Sequence, residues 1–217
     1  MAIRVLLADD HQLFRQGLRS MLANDAGIEV VGEAENGRSA VQLARQLVPN
    51  VVIMDISMPD LNGIDATRRI KERCPGIQVL AVSAHADRRF VAHVLAAGAS
   101  GYLLKDCAFD ELCRAVSAVA KKQVYLSPAV AGEVVHASLG RSARSAGGGT
   151  GPLTSREREV LQLLAEGRST KQIATQLHTS ISTIETHRRH IMQRLGLFSV
   201  AELTKYAVRE GLTSPEP

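Results

Sequence analysis

The sequence lacks any unbroken apolar stretch of the roughly 18 residues that a membrane-crossing helix requires. Its opening run, Ile3-Arg4-Val5-Leu6-Leu7-Ala8, is short and strand-like and leads straight into two aspartates, so neither a membrane span nor a secretory signal is expected. Cysteine is scarce. Cys74, Cys107 and Cys113 are odd in number and form no C-x-x-C pair, which argues against a disulfide framework or a zinc site and fits small buried side chains in a reducing cytoplasm. No G-x-x-x-x-G-K-[ST] or G-x-G-x-x-G segment occurs, so nothing supports a nucleotide-dependent enzyme.

What is present is the balance of a folded globular chain, 45% hydrophobic and 22% charged over 217 residues. That length accommodates one large domain or two small ones. The net charge of +4 is unevenly spread: residues 1–124 carry 15 Lys/Arg against 14 Asp/Glu, and residues 125–217 carry 11 against 8. The mildly basic second part permits a nucleic-acid partner without requiring one.

Over the first 122 residues two hydrophobic periods alternate. Short apolar runs at 3–8, 28–32, 51–54, 77–82 and 102–104 are separated by amphipathic stretches such as 13–23, 39–47 and 90–97, and five such βα repeats predict a doubly wound, parallel five-stranded sheet of flavodoxin-like type. Ligands of such sheets sit at the carboxyl ends of the strands. Asp9 and Asp10 follow the first run, Asp55 the third, Ser83 the fourth and Lys105 the fifth, placing chemically useful residues at four strand ends on one rim.

After Val124 the pattern changes. Ser127-Pro128 can start a helix running to Leu139, since proline is tolerated in a first turn. Residues 140–151, rich in glycine and serine, read as a flexible linker. The expected division is therefore 1–122, a connecting segment 123–151, and 152–217. The last part reads as four short helices. Thr154-Ser155-Arg156-Glu157, Ser169-Thr170-Lys171-Gln172 and Ser182-Thr183-Ile184-Glu185 have the form of capping boxes, and Gly167, Gly196 and Gly211 sit where glycine ends a helix. Two of these helices, joined by a tight turn at 178–181, make a helix-turn-helix whose second helix can enter a major groove.

At the rim, three carboxylates from Asp9, Asp10 and Asp55 repel one another unless a cation holds them, and hard oxygen ligands suit Mg2+, which also accepts phosphate oxygens. Asp55 could then attack phosphorus and carry an acyl phosphate, with Lys105 offsetting charge and the Ser83 hydroxyl donating to a phosphoryl oxygen.

The series Ala8-Asp9-Asp10-His11, Met54-Asp55-Ile56-Ser57-Met58-Pro59-Asp60-Leu61-Asn62-Gly63, Ser83-Ala84 and Gly101-Tyr102-Leu103-Leu104-Lys105-Asp106 resembles the response-regulator receiver over residues 1 to about 122. That resemblance implies Asp55 as phosphoacceptor, Asp9 and Asp10 as the acidic pocket, Mg2+ held by Asp10, Asp55 and the backbone carbonyl of Ser57, Ser83 and Tyr102 as a switch pair, and Lys105 as a phosphoryl contact. Two departures stand out: Asp106 follows the lysine where many single-domain receivers carry proline, and serine replaces the commoner threonine at 83. Haloacid-dehalogenase-like phosphatases also use an aspartate after a strand, but they need a second aspartate two residues on, where this sequence has Ser57.

In the third C-terminal helix, 182–195, Ile184, Ile191 and Leu195 repeat at core spacing, while Glu185, Thr186, Arg188, Arg189 and Arg194 face elsewhere. Arginine can read guanine bidentately, glutamate can accept from cytosine, and a threonine methyl can meet that of thymine. His187 and His190 have no third ligand at suitable spacing, which disfavours a metal. Leu153-Thr154-Ser155-Arg156-Glu157, Ile173-Ala174, residues 182–187 and Ile191-Met192-Gln193-Arg194-Leu195-Gly196 resemble the LuxR-type helix-turn-helix over 152 to about 212, and the whole chain resembles the NarL/FixJ subfamily of response regulators. The resemblance implies base contacts at Glu185, Thr186 and Arg189 and phosphate contacts around Lys171, Thr183, His187 and Arg194. It also makes the last helix, with Val200, Leu203 and Ala207 on one stripe and Tyr206 beside it, a dimer contact. A two-fold dimer predicts an inverted-repeat operator in double-stranded DNA. The expected function is a cytoplasmic, phosphorylation-dependent transcription regulator served by a sensor histidine kinase, with phosphotransfer to itself but no turnover. The alternative is a phosphorelay or scaffold protein whose C-terminal helices bind a protein.

Overall fold

Alternation of side chains across a strand decides where the first half of the chain puts its core. In the computed structural model, which describes residues 2–84, 88–131 and 153–213 with the side chains of 88 and 89 excepted, the chain separates into two compact units, Met1–Arg141 and Ser142–Pro217.

The first unit runs β1 (Ile3–Ala8), α1 (Gln12–Leu22), β2 (Ile28–Ala34), α2 (Gly37–Leu47), β3 (Val51–Asp55), α3 (Gly63–Arg73), β4 (Gln78–Ser83), α4 (Arg88–Ala96), β5 (Gly101–Leu104), α5 (Phe109–Ala120) and β6 (Tyr125–Leu126). All strand pairs are parallel, in the order β2-β1-β3-β4-β5-β6. Every residue of β3 and β4 is buried, as expected of central strands covered on both faces. Val5, Leu7, Val51, Ile53, Leu80, Val82 and Leu103 pack one face against α1 and α5. The intervening Leu6, Ala8, Val52, Met54 and Val79 pack the other against α2 and α3.

The sheet has six strands, not the five expected. The Tyr125 amide donates to the Ser100 carbonyl at 3.1 Å and the Ser127 amide to the Tyr102 carbonyl at 3.0 Å, adding a two-residue strand beside β5 that is too short to carry a hydrophobic period. A helical turn beginning at 128 buries Val130 completely. Most of the helix expected to reach Leu139, and the glycine-rich segment 140–151, lie outside the described residues. The cysteines are half-buried rather than buried. Among the described residues no helix is long and apolar enough to cross a membrane.

The second unit contains α6 (Ser155–Ala165), α7 (Thr170–Gln176), α8 (Ile181–Leu195) and α9 (Val200–Arg209), around a core of Val160, Leu161, Leu163, Ile173, Ile184, Ile191, Leu203 and Ala207. The boxes at Thr154/Glu157 and Ser169/Gln172 form. The one read at Ser182/Glu185 does not: Ser180, two residues earlier, accepts from the Thr183 amide at 3.0 Å and starts the helix. An unforeseen box forms at Ser199/Glu202. Gly167, Gly196 and Gly211 all take positive φ, the conformation that ends a helix most easily on glycine. In the turn before α8 a histidine does the same, His178 at φ 50°.

Candidate functional site

Parallel register brings the ends of four strands to one rim. Ala8 pairs with Met54, Asp55 with Val82, and Ser83 with Leu104, so Asp9, Asp10, Asp55, Ser83 and Lys105 emerge together. The Lys105 ammonium lies 2.7 Å from Asp9 Oδ2 and 2.9 Å from Asp55 Oδ2, bridging two carboxylates that are each only 3% exposed as residues. The ring of Phe14 faces that ammonium at 4.8 Å. Burial, and then the neighbouring Asp9 charge, push the Asp55 carboxyl above its ordinary pKa despite the opposing pull of Lys105. Burial alone would lower the pKa of Lys105, but Asp55 and Asp9 outweigh it and hold the ammonium above its ordinary range.

One ligand atom from each of Asp9, Asp10, His11 and Asp55 lies within 4.8 Å of the others. The His11 amide donates to Asp9 Oδ1 at 2.8 Å, and its Nδ1 lies 3.1 Å from Asp10 Oδ1, a buried oxygen that accepts no hydrogen bond. The donor set is therefore rich in hard oxygens, short of positive charge, and has one oxygen unsatisfied, which suits a divalent cation. Ser57 reaches the site through its amide, 3.4 Å from Asp55 Oδ1. Ser83 and Tyr102 are buried, at 1% and 0% exposure. Tyr102 packs with Ile56, Ala81, Val91, Val94 and Val130, so the ring of the expected switch pair faces inward.

Gly63 closes the receiver-like segment 54–63, where no spacing rule gives it a role. Its amide donates to the Ile56 carbonyl at 2.8 Å, and a Cβ there would lie 1.9 Å from the Asp55 carbonyl oxygen. The first residue of α3 thus lies against the phosphoacceptor candidate's own backbone. Phe14 and His11 were likewise given no role, and no spacing rule points to them.

In the second unit, Lys171, Thr183, Glu185 and Arg189 are exposed and Thr186, His187 and Arg188 half-buried. Glu185, Arg188, Arg189, Met192, Gln193 and Phe198 line an open cleft of about 460 Å3. Arg194 instead donates to Glu157 at 2.7 Å, tying α8 to the capping box of α6. Of the apolar stripe on α9, Leu203 and Ala207 are completely buried in the unit's own core, leaving Val200 exposed and Tyr206 half-buried.

A parallel sheet with this acid-and-lysine rim, joined to a helix-turn-helix unit, defines the class of protein: a receiver coupled to a DNA-binding module. The family of response regulator receiver domains matches residues 5–117 and the luxR family of bacterial regulatory proteins matches residues 151–207. The chain belongs to the response regulators that combine a receiver with a LuxR-type helix-turn-helix. It is 39% identical to the transcriptional regulatory protein MctR of Rhizobium johnstonii, over 98% of this chain and 96% of that one. Among solved structures it resembles the response regulator ChrA of a heme-sensing two-component system (34% identity, 97% of this chain and 98% of that one, TM-score 0.54). It also resembles the two-component response regulator RcsB in a complex with DNA (27% identity, 97% and 99%, TM-score 0.60).

Proposed function

We propose that this protein is a phosphorylation-controlled, DNA-binding transcription regulator of a two-component system, and that Asp55 is its phosphoacceptor. The observation that carries the reading is the Lys105 ammonium shared between Asp9 and Asp55, with the unsatisfied Asp10 oxygen beside them. One Asp55 carboxylate oxygen forms the new P–O bond with the phosphoryl group of a histidine kinase's phosphohistidine. The P–N bond breaks, and the departing imidazole keeps the electron pair and takes up a proton. Lys105 then holds a phosphoryl oxygen, and the Ser83 hydroxyl donates to another. Asp9, Asp10, Asp55 and the Ser57 carbonyl would hold Mg2+, which when bound supplies charge neutralisation between carboxylates and phosphoryl oxygens. With Ser57 two residues beyond Asp55, no carboxyl stands there to activate water as the dehalogenase-like phosphatases require, so the acyl phosphate is a signal rather than a turnover intermediate.

The reading divides the chain into a receiver at 1–122, a connection at 123–151 and a DNA-binding domain at 152–217, working in the cytoplasm. Exposed Glu185 and Arg189 with Thr186 and Arg188 read bases, while Lys171, Thr183 and His187 meet phosphates. Arg194, held by Glu157, supports the helix and reaches phosphate only at its edge. The solved RcsB dimers bound to DNA support a homodimer, which here would meet through Val200 and the outer side of Tyr206, and a two-fold dimer calls for an inverted-repeat operator. The test is intact-mass labelling by a small acyl phosphate donor with Mg2+. Wild type gains one phosphoryl group, Asp55→Asn gains none, and the mutant still binds DNA; labelling that persists in the mutant overturns the assignment. Binding to duplex DNA that does not change with salt would favour a protein-binding scaffold instead.

A further inference from the structure

Away from the acidic rim, α2 and α3 enclose a cleft of about 560 Å3 lined by Arg38, Val41, Gln42, Arg45, Gln46, Leu61, Arg69 and Arg73. That volume is within the range of small-molecule sites. Four of the eight lining residues are arginines, two are amides that can donate, and none is acidic. Arg69 and Arg73 are four apart on α3, while Arg38 and Arg45 are two turns apart on the facing side of α2, a helix with no acidic residue.

The walls are also fixed in place. A Cβ on Gly37, the first residue of α2, would lie 2.1 Å from the Leu61 carbonyl oxygen and 3.1 Å from the Ala66 side chain, so the two helices meet in close contact at that end. Both helices start on side-chain caps, Asn36 for α2 and Asn62 for α3, each accepting an amide hydrogen bond at 2.9 Å. Val41 and Leu61 are buried and form an apolar floor, Arg38 and Arg69 are half-buried, and Arg45 and Arg73 are exposed at the mouth. Guanidinium groups grip phosphoryl oxygens in pairs, and cations spread along two walls suit an anion with several phosphoryl groups in a row.

We infer that the α2–α3 cleft binds a condensed-phosphate anion, either a bare polyphosphate chain or the phosphate tail of a nucleotide. The site is independent of the phosphoacceptor reading and lies outside the helix-turn-helix unit. Its test is calorimetric titration of the full-length protein, with chelator present to remove divalent cations, by sodium tripolyphosphate and in a parallel arm by ATP. Saturable one-site binding is expected. Arg45→Gln/Arg73→Gln, two exposed positions whose replacement leaves the melting curve in place, should weaken it at least tenfold, and Arg114→Gln, exposed on α5, should leave it unchanged. Equal affinity in the two arms identifies the polyphosphate chain as the ligand, and tighter binding of ATP identifies a nucleotide. Absence of saturation, or undiminished affinity in the Arg45/Arg73 variant, overturns the site.

Discussion

One missing side chain decides how sharply the acidic rim is built. Gly63→Ala would set a methyl group 1.9 Å from the Asp55 carbonyl, where only backbone can yield. We expect a loss of about 2–3 kcal/mol in urea unfolding of the N-terminal unit, with slower phosphoryl labelling because the strand end must move. Glu157 is the corresponding pivot of the second unit, only 4% exposed. Burial opposes its charge, but the Thr154 amide and hydroxyl and the Arg194 guanidinium prevail and hold its pKa below the ordinary glutamate value. A lowered folded-state pKa contributes stability that is present above the ordinary value and lost as pH falls through the lowered one. Glu157→Gln is therefore expected to cost about 1–2 kcal/mol near neutral pH, and the gap from wild type should close on acidification past that point, read as thermal midpoints across pH. The aspartates, Ser83 and Lys105 were legible in the sequence because parallel strands must end at a common rim. Gly63 and Glu157 were not legible as pivots, because a near-contact with a distant carbonyl and a cross-helix ion pair leave no trace in local spacing.

Elements long enough to show a period are legible in the sequence within a residue or two, and structure departs from pattern where the pattern is ambiguous. Ser180 and Ser182 both satisfy the local form of a helix start, and only the path of the turn through His178 selects the first. The α9 stripe at Leu203 and Ala207 was legible as apolar, but spacing cannot say whether a stripe meets its own core or another subunit. Short β6 carries no readable period, although Ser127 bonds the Tyr102 backbone and Val130 shares its cluster. Because Val130 is completely buried there, Val130→Ala should cost about 2 kcal/mol in unfolding free energy. The same substitution should alter the phosphorylation-induced change in Tyr102 fluorescence or NMR shift; a variant that melts like wild type would show that the start of the connecting segment is not anchored to the switch.

On the scale of the whole molecule, charge divides the work between the two units: carboxylates gather at the rim of one, and guanidinium groups line the exposed helix of the other. The affinity of the full chain for operator DNA should fall steeply with salt as counterions are displaced. Arg189→Ala should lose about 1–3 kcal/mol at one base pair while leaving the salt slope nearly intact, measured by competition among single-base operator variants. Uniform weakening on every sequence would make Arg189 a backbone contact. The Lys105 bridge has a consequence for how such a molecule is switched. Since its ammonium is already engaged by Asp9 and Asp55, on the proposed phosphoacceptor reading an arriving phosphoryl group would trade places with a carboxylate that was keeping the lysine occupied, and hydrolysis would hand the lysine back. The resting and charged states are then two partnerships of one cation, so the rim can return to rest without unfolding anything around it.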